Sequence, residues 1–240
     1  MCTRKKKFVL SFGSKSRVNR NTIYVDSDEK FQLFSYVLEG LVDIDTEGIT
    51  GNEISRIEAL KSSYNIRKMT SNRDLVLSNL EKIPAIIDSY ESEYVIPRIQ
   101  IHKQMIHKTK QEDVMIDATE LNDVPHVDLF IGYPTHTSEI KLDHIHEDHV
   151  EAILLGEVCR QSGIVSVSKQ LGSDATYYIT KEVKKYIKMV KREEEVLVQT
   201  FPIIANRKKG VGTCFYMLYQ GNQLCMLGYY LVVYQKEKQE

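Results

Sequence analysis

The spacing of hydrophobic positions along this 240-residue chain changes near residue 96. Before it, residues 7–12 and 22–25 are short runs of β-forming residues and predict two strands. Helical spacing follows. After a cap at Ser27 or Asp28, Phe31, Phe34, Val37, Leu38 and Leu41 fall on one face. Residues 52–60 predict a second helix and 71–89 a third, in which Pro84 ends or kinks the run. Beyond Pro97 the pattern belongs to strands. Residues 114–118, 127–133, 176–179 and 195–204 are β-rich, and a closing hairpin joins 213–220 to 223–234 through Gly221-Asn222. The last arm is apolar on both faces and reads as a central strand. Residues 181–195 are rich in charge and read as a solvated, twisted strand or hairpin.

One segment departs from this pattern. Residues 148–169 are apolar around most of a helical circumference, and such a helix must be enclosed. A curved antiparallel sheet of five or six strands wrapped round one central helix encloses it, which is the hotdog fold. The expected class is therefore α+β: a hotdog domain over 96–240, and a smaller mixed α/β region over 1–95 of unassigned role. Such a sheet leaves one edge and much of the helix uncovered, so a homodimer through the sheet is expected.

Charge narrows the partners. The 32 basic and 33 acidic residues leave a net charge of -1, which removes the electrostatic case for nucleic acid or an anionic membrane. A helix-turn-helix around residues 52–68 has only Arg56, Lys61, Arg67 and Lys68 in its favour, and Glu53, Glu58 and Glu81 dilute them. No apolar run is long enough to span a bilayer. The basic start, Met1 to Lys7, precedes an apolar run too short for a signal peptide, so a cytoplasmic location is expected. The four cysteines form no C-x-x-C pair. Cys159 reads as a small core hydrophobe or, less simply, a nucleophile.

The densest chemistry lies at Asp143-His144-Ile145-His146-Glu147-Asp148-His149. Histidines two apart, then Asp and His, reproduce the metallo-β-lactamase motif. That motif is half a site, and all seven histidines lie at or before residue 149, so nothing downstream can supply a missing imidazole. The glycines expected after the last histidine are replaced by Val150-Glu151-Ala152. No metal and no cofactor are expected.

Glu157 enters the apolar helix, with Arg160 and Gln161 three and four residues on. A carboxylate there is either a structural ion pair with Arg160 or an acid/base tuned to a raised pKa, and the sequence leaves both open. Gly156 beside it lets a backbone or a thin ligand tail come close.

Asp148-His149-Val150, followed nine residues after the Asp by Glu157-Val158-Cys159-Arg160-Gln161, resembles the A-factor biosynthesis hotdog family (the AfsA type), whose pattern is Asp-His-Val-Pro-Gly, an apolar run, then Glu-Ala-x-Arg-Gln. His107-Lys108 with 112–117 is similar to the family's first strand, and Pro134-x-His136 to its Pro-x-His element. The family's Pro-Gly is Glu151-Ala152 here. The resemblance covers residues 97–240. It implies transfer of a β-ketoacyl group from acyl carrier protein or acyl-CoA to the hydroxyl of a phosphorylated acceptor, dihydroxyacetone phosphate, on the way to γ-butyrolactones. On that basis Glu157 is the general base, and Arg160 holds phosphate or orients Glu157. Gln161 and His149 donate hydrogen bonds to the thioester carbonyl or the loop, while Asp148, Gly156, His136 and His144 line the substrate. Two other functions stand beside it: a hotdog dehydratase or thioesterase acting on acyl thioesters, and a non-catalytic acyl- or lactone-binding or dimerisation module.

Overall fold

The structure is a computed structural model that describes residues 8–12, 22–25, 42–44, 51, 55, 59, 72–81, 96–119, 127–138, 140, 148–172, 175–204, 209–221 and 223–236. The chain divides into two compact units. One comprises Met1–Tyr94 with Val124–Val127, the other Val95–Asp123 with Asp128–Glu240.

In the first unit, β1 (Phe8–Phe12) lies between β2 (Thr22–Val25) and β3 (Val42–Ile44), parallel to both. The two strands expected at its start are present; β3 was not expected. Helix α1 (Arg73–Leu80) occupies the front of the predicted 71–89 helix and buries Val76, Asn79 and Leu80. Gly51, Ser55 and Ala59 are helical, and the rest of 52–60 and the predicted helix after Ser27 lie outside the described residues.

The second unit is built on a seven-stranded sheet of order β4-β5-β6-β8-β9-β10-β7, antiparallel at every pairing. Its strands are β4 (Arg98–Gln100), β5 (Ile116–Thr119), β6 (Asp128–Gly132), β7 (Ala175–Tyr186), β8 (Val196–Ile204), β9 (Lys209–Gln220) and β10 (Gln223–Lys236). Helix α2 (Ala152–Leu171) runs across one face, with Leu154, Leu155, Val158, Ile164 and Val165 packed into a core with Phe130, Val198, Leu218 and Met226. Each such fully buried side chain contributes roughly 1.5–3 kcal/mol to the stability of this unit. A curved antiparallel sheet round one long helix is the hotdog fold, as expected.

Three expectations are corrected in detail. The helix starts at Ala152, not at Asp148. The approach is held extended because Val150 N donates to Val190 O at 2.8 Å, Arg192 Nε donates to His149 O, and the Arg192 guanidinium grips Glu151. The segment matched to a family first strand, around His107-Lys108, is a 3-10 turn (Lys103–Ile106) closed by His107 in the left-handed region at φ 60°. Strand β7 runs straight through the first part of the charged stretch instead of stopping at Ile179.

That last difference matters for chemistry. The pairing of β7 with β10 slips between Leu231↔Lys181 and Val232↔Ile179, so Thr180 is extra and the alternation of faces reverses. Tyr177 therefore faces the helix on one side of the bulge, and Glu182, Lys184 and Tyr186 face it on the other.

Candidate functional site

The most organised polar group lies where α2 passes the 3-10 turns ahead of β5. The left-handed His107 redirects the chain so that the Lys108 ammonium reaches Glu157 Oε1 at 3.0 Å; the Lys108 side chain is only 8% exposed. Arg160, one turn along the helix, donates through Nε to Glu157 Oε2 at 2.6 Å and through Nη2 to Oε1 at 2.7 Å. Gln161 Nε2 donates to Oε1 at 3.0 Å. Oε1 thus takes three donors and, among the described residues, Oε2 takes one.

Gln161 is fully buried and ties this group to the sheet. Its Oε1 accepts from Met115 N at 2.8 Å, and its Nε2 also donates to Asp113 O. Asp113 is itself buried, with Oδ1 receiving Ser138 N, Ser138 Oγ and Thr137 Oγ1. Burial pushes the Asp113 carboxyl up, but those donors outweigh it and leave it below the ordinary carboxylate value.

The same contest decides Glu157. Burial raises its pKa, while the Arg160 and Gln161 hydrogen bonds, the Arg160 charge and Lys108 bring it down from 4.5 to about 2. Of the two readings left open by the sequence, the geometry has the ion pair. The carboxylate is charged at neutral pH, and no raised pKa results.

The other expected site residues separate into groups. Asp148 and His149 precede the helix, joined through His149 Nδ1 and Asp148 Oδ1 at 2.7 Å. His136 is exposed in the turn after β6, with its ring edge-on to Tyr133. Tyr133 belongs to a separate network in which its hydroxyl donates to Asp117 and receives Arg98, which also pairs with Glu195. His144 lies outside the described residues, as does His146. Gly156 lies on α2 beside Glu157, and the space over it is taken: a Cβ there would stand 2.7 Å from Lys184 Nζ. Sequence reasoning missed Lys108 as a site residue, although His107-Lys108 stood within the resemblance. It also missed Asp113 and Lys184.

At the head of α2, Leu154 N and Leu155 N both donate to Glu151 O. Ala152 and Ile153 are exposed, and their N–H groups make no hydrogen bond among the described residues. Two N–H groups without an intrahelical partner at the positive end of a 20-residue helix can receive a carbonyl or anionic oxygen. The arrangement thus offers carbonyl donors at the helix start and, five residues or about 7.5 Å of helix rise further on, a charged carboxylate with one less-occupied oxygen.

No family model matches the sequence, and no curated protein does either. Solved structures give partial likenesses. A thioesterase from Haemophilus influenzae matches 52% of this chain and 82% of its own at 12% identity, with a TM-score of 0.41. A conserved protein from Pseudomonas aeruginosa matches 56% and 99% at 17% identity, with a TM-score of 0.42. A Streptococcus mutans protein solved with bound acetyl CoA matches 48% and 85% at 9% identity, with a TM-score of 0.35. Likeness at this level is resemblance only, and the fold rests on the topology described above. Among the described residues no helix is long and apolar enough to cross a membrane.

Proposed function

We propose that the hotdog unit acts on acyl thioesters at the head of α2, hydrolysing or otherwise transferring the acyl group, with coenzyme A or acyl carrier protein as the thiol. The observation that carries the reading is Glu157, a nearly buried, charged carboxylate held on the helix by Lys108, Arg160 and Gln161, with Oε2 less occupied. A thioester carbonyl seated on the Ala152 and Ile153 N–H groups gains electrophilicity from the helix terminus. Water donating a hydrogen bond to Glu157 Oε2 is aligned on the carbonyl carbon. As the new C–O bond forms the water becomes acidic, the C–S bond breaks, and the proton ends on the departing thiolate. A carboxylate with a pKa near 2 is a weak base. Its work is to orient the nucleophile and to stabilise positive charge as it develops.

A second reading puts a substrate hydroxyl in place of water. The two cations beside Glu157 favour it, since Lys108 and the partly exposed Arg160 give the site positive charge for a phosphorylated acceptor. This is the acyltransferase implied by the resemblance, with a β-ketoacyl donor and dihydroxyacetone phosphate as acceptor. Pairing of two copies along the sheet belongs to both readings. Strand β7 is an edge and exposes Tyr178, Ile179 and Tyr186, which supports it.

The test is incubation with acyl-CoA and acyl carrier protein thioesters, following free thiol, with and without dihydroxyacetone phosphate, and mass spectrometry for an acyl ester. Thiol released without acceptor supports hydrolysis. Thiol released only with acceptor, together with ester, supports transfer. No release and no binding of any thioester overturns the proposal.

A further inference from the structure

Against Gly156, between α2 and strands β7, β9 and β10, lies a second polar cluster that the proposed chemistry does not use. Lys184 Nζ pairs with Glu182 Oε2 at 2.9 Å. Tyr216 donates its hydroxyl to Glu182 Oε1 at 3.3 Å, and Tyr230 donates to Gly156 O at 3.2 Å. The two phenol rings are 4.9 Å apart and almost wholly buried, whereas the Lys184 and Glu182 side chains are 28% and 29% exposed.

Two glycines make room for this group. On the helix, Lys184 Nζ stands 2.7 Å from where a Gly156 Cβ would be. On the sheet, the Tyr216 hydroxyl stands 2.4 Å from where a Gly228 Cβ would be. Facing elements that both lack a side chain would otherwise leave a slot between helix and sheet. Here its floor is two phenols and its solvent-facing end is a charge pair.

Gly156 lies about 6 Å of helix rise beyond Ala152. An acyl group whose carbonyl sits on the first N–H groups of α2 and whose tail follows this side of the helix therefore meets Lys184 after roughly four or five carbons. A longer alkyl tail has to strip water from the Lys184–Glu182 pair without offering it any hydrogen bond, and that is unfavourable.

We infer that Lys184 and Glu182, braced by Tyr216 and Tyr230 over Gly156 and Gly228, are specificity-determining residues that limit this protein to short acyl groups. The inference rests on the thioester reading above. Its test measures dissociation constants of acetyl-, butyryl-, octanoyl- and dodecanoyl-CoA for the full chain by titration calorimetry, in the wild type and in a Lys184→Met, Glu182→Gln double variant. The wild type binds butyryl-CoA at least tenfold more tightly than octanoyl-CoA. The double variant gains at least tenfold for octanoyl-CoA and holds butyryl-CoA within threefold. If the double variant does not fold, Lys184→Met alone must tighten octanoyl-CoA by at least threefold. Equal binding of butyryl- and octanoyl-CoA by the wild type, or a chain-length profile that the variants leave unchanged, overturns the inference and leaves the thioester reading standing. Failure of the folded wild type to bind any of the four overturns the inference, and the carrier-protein thioester assay above then decides the thioester reading.

Discussion

Replacing Glu157 by Gln separates the charge of this residue from its shape. A carboxyl with an ordinary pKa of 4.5 that falls to about 2 in the folded protein favours the folded state once it is ionised. At 1.36 kcal/mol for each tenfold change, the contribution at neutral pH is about 3 kcal/mol. The sign follows from the lowered folded value: the stability is complete above the unfolded pKa and is lost as pH falls through the folded one. The window is therefore pH 4.5 down to about 2. At pH 3 about 2 kcal/mol of it has gone. The amide introduced by E157Q cannot titrate, so the wild type should exceed the variant by about 3 kcal/mol at pH 7, by about 1 kcal/mol at pH 3, and by almost nothing near pH 2. Urea unfolding of both proteins from pH 7 to pH 3, followed by circular dichroism, reads the gap directly. Acid effects of other carboxylates are common to both and cancel. A gap that stays level or widens as pH falls refutes the account of Glu157 as a clamped, ionised carboxylate.

Gln161→Leu should cost about 2–4 kcal/mol, because Met115 N and Asp113 O lose a buried partner; equilibrium unfolding at pH 7 measures it, and a loss under about 0.5 kcal/mol contradicts the bridging role. Gly228→Ala puts a methyl 2.3 Å from Val183 O and 2.4 Å from the Tyr216 hydroxyl, and a loss of about 1–3 kcal/mol is expected in the same assay. Cys159 and Cys214 are fully enclosed and burial pushes both thiols up, so neither should react with iodoacetamide in the native protein while both do in urea; peptide mass spectrometry would show otherwise. Arg98→Ala removes an exposed pair with Glu195 and should change stability by less than about 1 kcal/mol, a change that 0.5 M salt largely hides.

The enclosed helix was legible because its apolar residues cover most of its circumference, β8 because its run is rich in β-formers, and β9 and β10 because their apolar runs meet at a glycine turn. Strand β4 was not, since its three residues are all exposed and carry no alternation. The helix start was misplaced because the apolar pattern reaches back to Val150, while the true start is imposed by Val190 and Arg192 from beyond the helix. Glu157, Arg160 and Gln161 were readable as helical neighbours, and the structure does bring them together. Their other partners, Lys108, Asp113 and Met115, come from a turn and loop far back in the chain that no periodicity links to the helix. The Lys184 cluster was hidden for a different reason. A charged run alternating along a strand looks solvated, and only the bulge at Thr180 turns Glu182 and Lys184 toward the helix.

Glu157, on the proposed function, serves acyl-thioester chemistry at the head of α2. The most direct measurement is the rate of free thiol release from butyryl-CoA and a β-ketoacyl carrier protein, with and without dihydroxyacetone phosphate, by wild type and by folded Glu157→Gln. Release by the wild type is expected, with a loss of about 100-fold in the variant, the cost of a misaligned nucleophile. Release by E157Q at the wild-type rate, or none by the wild type from either thioester, would contradict it.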